Sequence, residues 1–157
     1  MIYGVIILLL AMGDLTLKQL VEREEPDRFP RPLEGTGGKI LLYRNHNAGF
    51  PFGFLEKHGD VVRMVPLAVT SALAGALAAL AGGKKQVIRK LALATVIGGS
   101  LSNLYDRFVR RYVVDYCSIQ AGPLKKVVFN LGDVCVLLGS GVLIGAELME
   151  ELRSRKG

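Results

Sequence analysis

The sequence predicts an α-helical integral membrane protein with four transmembrane helices and one long polar connection outside the membrane. Half of its 157 residues are hydrophobic, and its mean hydropathy of +0.35 is high for a water-soluble protein. The apolar residues lie in long runs rather than at helical or strand spacing, which is typical of segments that cross a bilayer. A chain of this length corresponds to one domain, 1–157.

The first predicted span covers about residues 2–21. Its apolar start resembles a signal peptide, but no basic residues precede it and the apolar pattern resumes at Leu15, beyond the candidate cleavage site at Gly13. Asp14 and Lys18 lie one helical turn apart within this span and are able to pair. We interpret them as a structural ion pair that faces the interior of the helix bundle.

Residues 22–61 are predicted to connect the first two spans outside the lipid, because they combine charged side chains with prolines and glycines. Within them, residues 39–44 are predicted as a short strand and residues 47–54 as turns with exposed aromatic rings. We expect these rings to anchor the connection at the membrane surface, and a flap that faces the substrate is the alternative: Phe50, Phe52 and Phe54.

Three further spans are predicted at about residues 64–81, 87–105 and 127–149. A tight basic turn joins the second span to the third. The last span contains Gly141 and Gly145 at the spacing that permits close helix contact. Four spans put both termini on the same side, and the positive-inside rule favours the cytoplasmic side for the termini and the tight turn.

The net charge of +6 and the pI near 9.5 point to membrane lipids as partners rather than to nucleic acid. Lysines and arginines lie in loops and near the C-terminus beside apolar runs, where anionic headgroups are close. Cys117 and Cys135 lack metal-ligand spacing, and we expect free, packed thiols. His46 and His58 lie in the polar connection and are assigned structural or surface roles. No metal, cofactor, or Ser/His or Cys/His nucleophile is therefore predicted.

The strongest functional signal is the pair Asp115 and Asp133, which flank the entry to the last span. Ionisable side chains at membrane depth are costly and by default mark a functional site. From the residues alone three interpretations stay open: a proton relay, two separately neutralised carboxylates, and a catalytic pair. Further polar side chains are spaced to share faces at the two neighbouring helix ends: Asn103, Asp106, Arg107 and Asn130.

If the third and fourth spans are neighbours, these two polar faces and Asp115 converge at the level of the membrane surface and form a pocket. Arg107 is expected to hold Asp106 at the edge of this pocket. Two close carboxylates share one proton. One of them then takes a proton from a water molecule that attacks a peptide carbonyl, while the other protonates its oxygen, as in aspartic proteases. The competing class is a non-enzymatic four-helix membrane protein, a carrier or scaffold that couples the same carboxylates to protons or ions.

Five sequence blocks spread along the chain carry a resemblance to a known family. Three surround the aspartate pair: Gly98-Gly-Ser-Leu-Ser-Asn103-Leu-Tyr-Asp106-Arg107, Val113-Val-Asp115-Tyr116 and Phe129-Asn130-Leu-Gly-Asp133. Two lie earlier: Asp14-x-x-x-Lys18 and Asn47-x-Gly49-x-x-Phe52. In order and spacing the five blocks resemble the lipoprotein signal peptidases (signal peptidase II).

This resemblance implies a four-span aspartic endopeptidase of the bacterial inner membrane, with a small extramembrane β-sheet between helices 1 and 2. Its active site would lie towards the outer face, and its substrates would be diacylglyceryl-modified prolipoproteins cleaved before the lipid-bearing cysteine. Asp115 and Asp133 match the family's catalytic pair. The resemblance places five more residues in substrate-binding or supporting positions: Asn47, Asn103, Asp106, Arg107 and Asn130.

The chain departs from the family pattern at a few positions. Arg111 stands where the family usually has a glycine, and an arginine adopts a glycine-type backbone conformation only with strain. The shape of the loop that presents Asp115 is therefore expected to differ. The other departures are Ser102 for a glycine, Gly132 for an alanine, and Phe50 and Pro51 for small residues.

Overall fold

The computed structural model describes residues 1–49, 57–83 and 85–155. Its long helices are α1 (Ile2–Arg23), α2 (Gly59–Leu80), α3 (Val87–Tyr105) and α4 (Leu131–Ser154). Its strands are β1 (Arg31–Pro32), β2 (Ile40–Asn47) and β3 (Val113–Ile119). Short 3₁₀ turns cover Pro26–Arg28 and Gly122–Lys126, and a π-helical turn covers Asp106–Arg110. The predicted turn aromatics Phe50, Phe52 and Phe54, and the departure at Pro51, lie outside the described residues.

Within the described residues, three helices are long and apolar enough to cross a membrane: α1, α2 and α4. Large apolar side chains on their outer faces are exposed, as lipid contact requires; examples are Leu9, Met64 and Leu137. The helical membrane fold predicted from composition is thus supported, and three of the four predicted spans meet this criterion of length and composition. The third helix, α3, carries Arg89 and Lys90 in its first turn and polar side chains in its last.

The helix α3 forms the centre of the bundle, because it contacts α1, α2 and α4. More than half of its residues are buried. Their side chains are small or medium-sized, so the neighbouring helices approach closely. One apolar cluster of buried residues lies between α2 and α3: Leu77, Leu93, Ala94 and Ile97.

The closest packing of α3 against α4 depends on glycines. A Cβ atom on Gly99 would lie 2.4 Å from the carbonyl oxygen of Gly132, and one on Gly139 would lie 2.6 Å from a methyl group of Val96. The predicted close-contact pair Gly141 and Gly145 was wrong, since no atom lies within 4 Å of a Cβ built on either residue. The spacing was present in the sequence, but these two glycines are on the outer face of α4.

The three strands form an antiparallel sheet in the order β1-β2-β3, so β2 is central. The predicted strand at residues 39–44 is confirmed as the first part of β2. In the register of β2 and β3, Asn45 is opposite Asp115 and Asn47 is opposite Val113, after an irregularity between Leu42 and Asn45. The sheet therefore brings the end of β2 beside Asp115.

The sheet packs on the end of the helix bundle through a second apolar cluster. Its buried members are Val21, Val114 and Tyr116. Residues along a strand alternate between its two faces, so Val114 and Tyr116 point to the opposite face from Asp115. This alternation presents Asp115 away from the cluster that holds the strand in place.

Arg111 ends the π-helical turn that follows α3. Its φ is +73°, in the left-handed region that favours glycine, and its N–H donates to the carbonyl oxygen of Asp106 at 2.9 Å. The strain expected from this departure is therefore present in the backbone. The turn reverses the chain between the end of α3 and the start of β3.

Candidate active site

Strand β3 presents Asp115 in a buried position, with 3 % of its surface exposed. Its Oδ1 accepts a hydrogen bond from Asn130 Nδ2 at 2.8 Å, and its Oδ2 accepts one from Asn47 Nδ2 at 3.2 Å. The Asn47 amide is itself oriented, because its Oδ1 accepts the Gly49 N–H at 3.1 Å. Two neutral amides therefore hold both oxygens of Asp115.

Helix α4 presents Asp133 from its first turn. Asn130 is the N-cap: its Oδ1 accepts the N–H of Asp133 at 2.8 Å, and its own N–H donates to Asp133 Oδ2 at 3.2 Å. This reciprocal capping box satisfies two backbone donors that a helix start would otherwise leave unpaired. The other oxygen, Asp133 Oδ1, accepts a hydrogen bond from Asn103 Nδ2 at 2.9 Å.

Asn130 joins the two aspartates, because one fully buried residue bonds to both of them. Its amide nitrogen donates to Asp115, while its amide oxygen and its backbone N–H bond to Asp133. The two carboxyl groups are therefore held on either side of a single side chain, at the junction of the sheet and the helix bundle.

The pKa of Asp115 is raised from its ordinary value of 3.8 to about 7, first by burial and second by the negative charge of Asp133. The hydrogen bonds from Asn47 and Asn130 partly oppose this rise in the pKa. Near neutral pH a substantial fraction of Asp115 therefore carries a proton. This is the behaviour expected of two carboxyl groups that share a site.

Arg107 interacts electrostatically with both aspartates of this pair. Burial lowers the pKa of Arg107, and the charges of Asp133, Asp115 and Asp106 oppose that effect, in this order of size. Its Nη1 donates to the carbonyl oxygen of Gly49 at 3.0 Å. Arg107 thus links the end of α3 to the segment that follows β2, beside Asn47.

A second polar cluster lies beneath the aspartate pair and is centred on Lys18. Its Nζ lies 2.9 Å from Asp14 Oδ2 and 3.1 Å from Asp106 Oδ2, and all three side chains are completely buried. The same nitrogen donates to Ser102 Oγ at 3.1 Å and to Asn103 Oδ1 at 2.7 Å. Asn103 is therefore shared between this cluster and Asp133.

Asp106 is turned towards this lower cluster. Arg110 Nη1 donates to its Oδ1 at 2.7 Å, and the N–H of Val114 donates to its Oδ2 at 3.1 Å. We expected Arg107 to hold Asp106, and the charge of Asp106 does act on Arg107. Asp106 also forms ion pairs with Lys18 and Arg110. Arg110 follows Asp106 by four residues, the spacing at which side chains on one helical face meet. Lys18 lies on α1, so its contact with Asp106 depends on how α1 packs and has no local sequence signal.

Sequence reasoning did not assign Tyr116 or Ser102 to this cluster, and Tyr116 is the larger of the two. Its hydroxyl donates to Asp14 Oδ1 at 2.9 Å and accepts the N–H of Leu131 at 3.0 Å, so it ties α1 to the start of α4. The available signal was its position next to Asp115 in a strand, which places its ring on the side of the helices. Ser102, noted as a departure, donates to Asp14 Oδ2 at 2.5 Å.

The structure thus brings the predicted site residues together in two layers. The upper layer contains the aspartate pair and the groups around it: Asp115, Asp133, Asn47, Asn103, Arg107 and Asn130. The lower layer contains Asp14, Lys18 and Asp106. Gly132 lies between the layers, where an alanine Cβ would be 2.8 Å from the carbonyl oxygen of Gly99 and 3.0 Å from Asp14 Oδ2.

The histidines and cysteines lie outside these layers. His46 stacks on Tyr112 with ring centroids 4.0 Å apart, and its Nε2 lies 2.7 Å from Glu22 Oε1. Cys117 and Cys135 are free thiols. Among the residues that the structure describes, no group of three or more His, Cys, Asp or Glu side chains is placed to hold a metal ion.

Comparisons with known proteins agree on one family. Residues 6–149 match the family described as signal peptidase (SPase) II. The chain is 30 % identical to the lipoprotein signal peptidase of Sulfurihydrogenibium sp. (strain YO3AOP1) over 144 residues, 89 % of this chain and 86 % of that protein. It is 32 % identical to that of Brucella ovis (strain ATCC 25840 / 63/290 / NCTC 10512) over 120 residues, 74 % of this chain and 72 % of that protein.

Two solved structures of bacterial membrane enzymes share the fold. One was determined by the in meso method at 2.3 Å resolution and superposes with a TM-score of 0.79 at 18 % sequence identity. The superposition covers 95 % of this chain and 88 % of the chain in that structure. The other, determined by the same method at 1.9 Å resolution, has a TM-score of 0.72 at 19 % sequence identity, and the superposition covers 93 % of this chain and 92 % of the chain in that structure. Together with its three apolar helices, this fold makes the chain a multi-pass membrane protein. By sequence match along nearly its whole length, the chain belongs to the signal peptidase II family.

Proposed function

We propose that this protein is a membrane aspartic endopeptidase that removes the signal peptide from diacylglyceryl-modified prolipoproteins, cleaving before the lipid-bearing cysteine. Membership of the signal peptidase II family supports a peptidase that acts on prolipoproteins. The observation that carries the aspartic mechanism is the bridge made by Asn130, which bonds to Asp115 and Asp133 at the same time.

The two carboxyl groups differ in a way that assigns their roles. Asp133 lies in the first turn of α4, where the helix dipole favours negative charge, and it accepts a backbone N–H from Asn130. Asp115 is held by neutral amides in a buried strand, and its raised pKa of about 7 keeps a proton available near neutral pH. Asp133 is therefore the base and Asp115 the acid at the start of the reaction.

In the proposed reaction Asp133 takes a proton from a water molecule as the water oxygen attacks the scissile carbonyl carbon. Asp115 donates its proton to the carbonyl oxygen, which gives a neutral tetrahedral intermediate. When the carbon–nitrogen bond breaks, Asp133 returns its proton to the leaving amine, and Asp115 regains a proton from a hydroxyl of the intermediate. Both carboxyl groups end in their starting protonation states.

The remaining upper-layer residues support this pair or contact the substrate. Asn47 and Asn130 orient Asp115, and Asn103 and Asn130 orient Asp133. Arg107 supplies positive charge close to both aspartates and holds the segment at Gly49 by its carbonyl oxygen. Asp106 acts from the lower layer through its contacts with Lys18, Arg110 and the N–H of Val114.

We further propose that α3 is the fourth membrane crossing, so that residues 1–157 form one membrane-embedded domain. Its 19 residues extend roughly 28 Å at 1.5 Å per residue, close to the thickness of the bilayer core. It also packs against the three apolar helices, which shield its polar residues from lipid. With termini in the cytoplasm, four crossings in a bacterial inner membrane place the aspartate pair towards the outer face.

The alternative is a non-enzymatic carrier or scaffold that uses these carboxylates for proton or ion coupling. A relay across the membrane needs its groups distributed along the bundle, whereas Asp115 and Asp133 are both bonded to Asn130 at a single level. This arrangement favours one shared water molecule over a transmembrane path. The peptidase is therefore the better-supported function.

The test uses purified protein in lipid vesicles with a diacylglyceryl-modified precursor peptide and the same peptide without lipid. Asp115→Asn and Asp133→Asn should each abolish cleavage and leave the protein folded, because an amide cannot exchange the protons that the reaction requires. Glu147→Gln is the matched control, since Glu147 is an exposed carboxylate near the C-terminal end of α4 that pairs with Arg89 of α3. Cleavage by either aspartate variant would rule out the pair, and equal cleavage of the unmodified peptide would rule out the lipid requirement.

A further inference from the structure

We infer that Lys18 is a positioning residue for Asp133 and acts through the amide of Asn103; this inference rests on the proposed function. Lys18 lies in α1, below the aspartate pair, and its side chain is completely buried. An ammonium group at such a position is costly unless its contacts are needed. The reaction as proposed makes no direct use of it.

The contact with Asn103 determines which way its amide points. An ammonium group has three donors and no acceptor. Lys18 Nζ lies 2.7 Å from Asn103 Oδ1, so the amide oxygen must face Lys18 and the amide nitrogen must face Asp133. That nitrogen donates to Asp133 Oδ1 at 2.9 Å. The reversed amide would set nitrogen against the ammonium and oxygen against the carboxylate, which is unfavourable at both ends.

The ammonium group is itself held from two helices and the π-helical turn. Asp14 lies one turn before it on α1, Ser102 lies on α3, and Asp106 begins the π-helical turn. The Ser102 hydroxyl donates to Asp14, so its oxygen is left to accept from Lys18. Because all of these groups are buried, no water competes for the donors of Lys18 and its position is well defined.

A purely structural role makes a different prediction. If Lys18 only neutralises Asp14 and Asp106, its loss lowers stability, but the molecules that remain folded turn over substrate at the normal rate. If Lys18 orients Asn103, the folded molecules lose a correctly placed donor to Asp133. The rate of the chemical step, kcat, then falls while substrate binding changes little.

The experiment compares Lys18→Met with Lys90→Met in vesicles, using the diacylglyceryl-modified peptide and normalising to folded protein. Lys90 is the matched control: it is a second buried lysine, 3 % exposed, whose Nζ donates to the Gly83 carbonyl at the other end of α3. Lys18→Met should lower kcat by about 10²-fold, the typical effect of a displaced active-site group, with KM changed by less than about threefold. Lys90→Met should lower Tm without lowering kcat. An unchanged kcat in folded Lys18→Met would overturn the inference.

A double-mutant cycle tests the path through Asn103. Asn103→Ala should lower kcat about as much as Lys18→Met, and the double variant should be no slower than either single variant, because both changes remove the same hydrogen bond to Asp133. Multiplied effects would show that Lys18 acts by another route and would overturn the proposal.

A charge-balanced variant covers the case in which Lys18→Met does not fold. Lys18→Met with Asp14→Asn removes one charge of each sign and leaves Asp106 paired with Arg110. It is compared with Asp14→Asn alone, which keeps the donor to Asn103. The balanced variant should be at least about tenfold slower in kcat than Asp14→Asn; equal rates would contradict the inference. Asp115→Asn and Asp133→Asn in the same assay separate this outcome from failure of the proposed function itself.

Discussion

The substitution Gly99→Ala is expected to separate α3 from α4 and to damage the site as a result. The added Cβ would lie 2.4 Å from the Gly132 carbonyl oxygen and 2.7 Å from Cys135 Cβ. The first distance is roughly 1 Å short of ordinary contact, and backbone atoms on two packed helices cannot rotate away. Overpacking of this kind costs about 3 kcal/mol of stability.

The same displacement reaches the aspartate pair. Asn103 lies one turn beyond Gly99 on α3, and Asp133 follows Gly132 on α4, so a shift of about 1 Å would stretch their 2.9 Å hydrogen bond past the useful range. A misplacement of that size lowers kcat by about 10²-fold. Gly99→Ala should therefore reduce both Tm and kcat.

The assay pairs thermal unfolding in detergent with cleavage of the lipidated peptide in vesicles. Gly141→Ala is the matched control, because no atom lies within 4 Å of its added Cβ. That variant should keep the wild-type kcat and gain up to about 1 kcal/mol from helix propensity. A Gly99→Ala variant with the wild-type Tm and kcat would show that α3 and α4 are not packed as closely as described.

Two further predictions concern the loop and the titration of Asp115. Arg111→Gly should increase the free energy of unfolding by about 1 kcal/mol and so raise Tm, because glycine accepts the φ of +73° without strain. A lower Tm would mean that the arginine side chain stabilises the fold by more than its backbone strain costs. Folding raises the pKa of Asp115 from 3.8 to about 7, so between these pH values the folded state binds more protons than the unfolded state. Stability should therefore fall as pH rises from 3.8 to about 7, and this contribution should be constant above that. Asp115→Asn should remove that part of the fall, and an identical pH profile in wild type and variant would contradict the assignment. In wild type, kcat should likewise decrease above about pH 7, as Asp115 loses the proton that it donates.

The helices could be predicted from the sequence because long apolar runs have few alternatives in lipid. Their ends were less accurate. Helix α4 was predicted from residue 127, but it begins at Leu131, because the Asn130 side chain caps it and Lys125 and Lys126 form a separate 3₁₀ turn. Helix α2 begins at Gly59 rather than residue 64, because its start contains the polar residues Asp60 and Arg63, which precede the apolar run. Local polarity indicates where lipid ends, whereas capping determines where a helix ends.

The site could be anticipated only where spacing or family resemblance carried information. Helix faces and block order predicted that Asn103, Asn130 and the two aspartates would meet at one level, but not which of their atoms bond. The contact of Asp106 with Lys18 could not be predicted, because it joins the end of α3 to α1 and depends on how these helices pack. The contact of Asn47 with Asp115 depends on a strand register with an irregularity between Leu42 and Asn45. Tyr116 and Ser102 could not be placed, since their contacts join residues more than 80 positions apart.

The most direct test of the aspartate pair is the single-turnover rate of cleavage of a diacylglyceryl-modified precursor by wild type, Asp115→Asn and Asp133→Asn in the same vesicles. Both variants should bind the precursor and unfold as cooperatively as wild type, yet show no cleavage above the uncatalysed rate. Measurable turnover by either folded variant would contradict the claim that Asp115 and Asp133 together activate the attacking water.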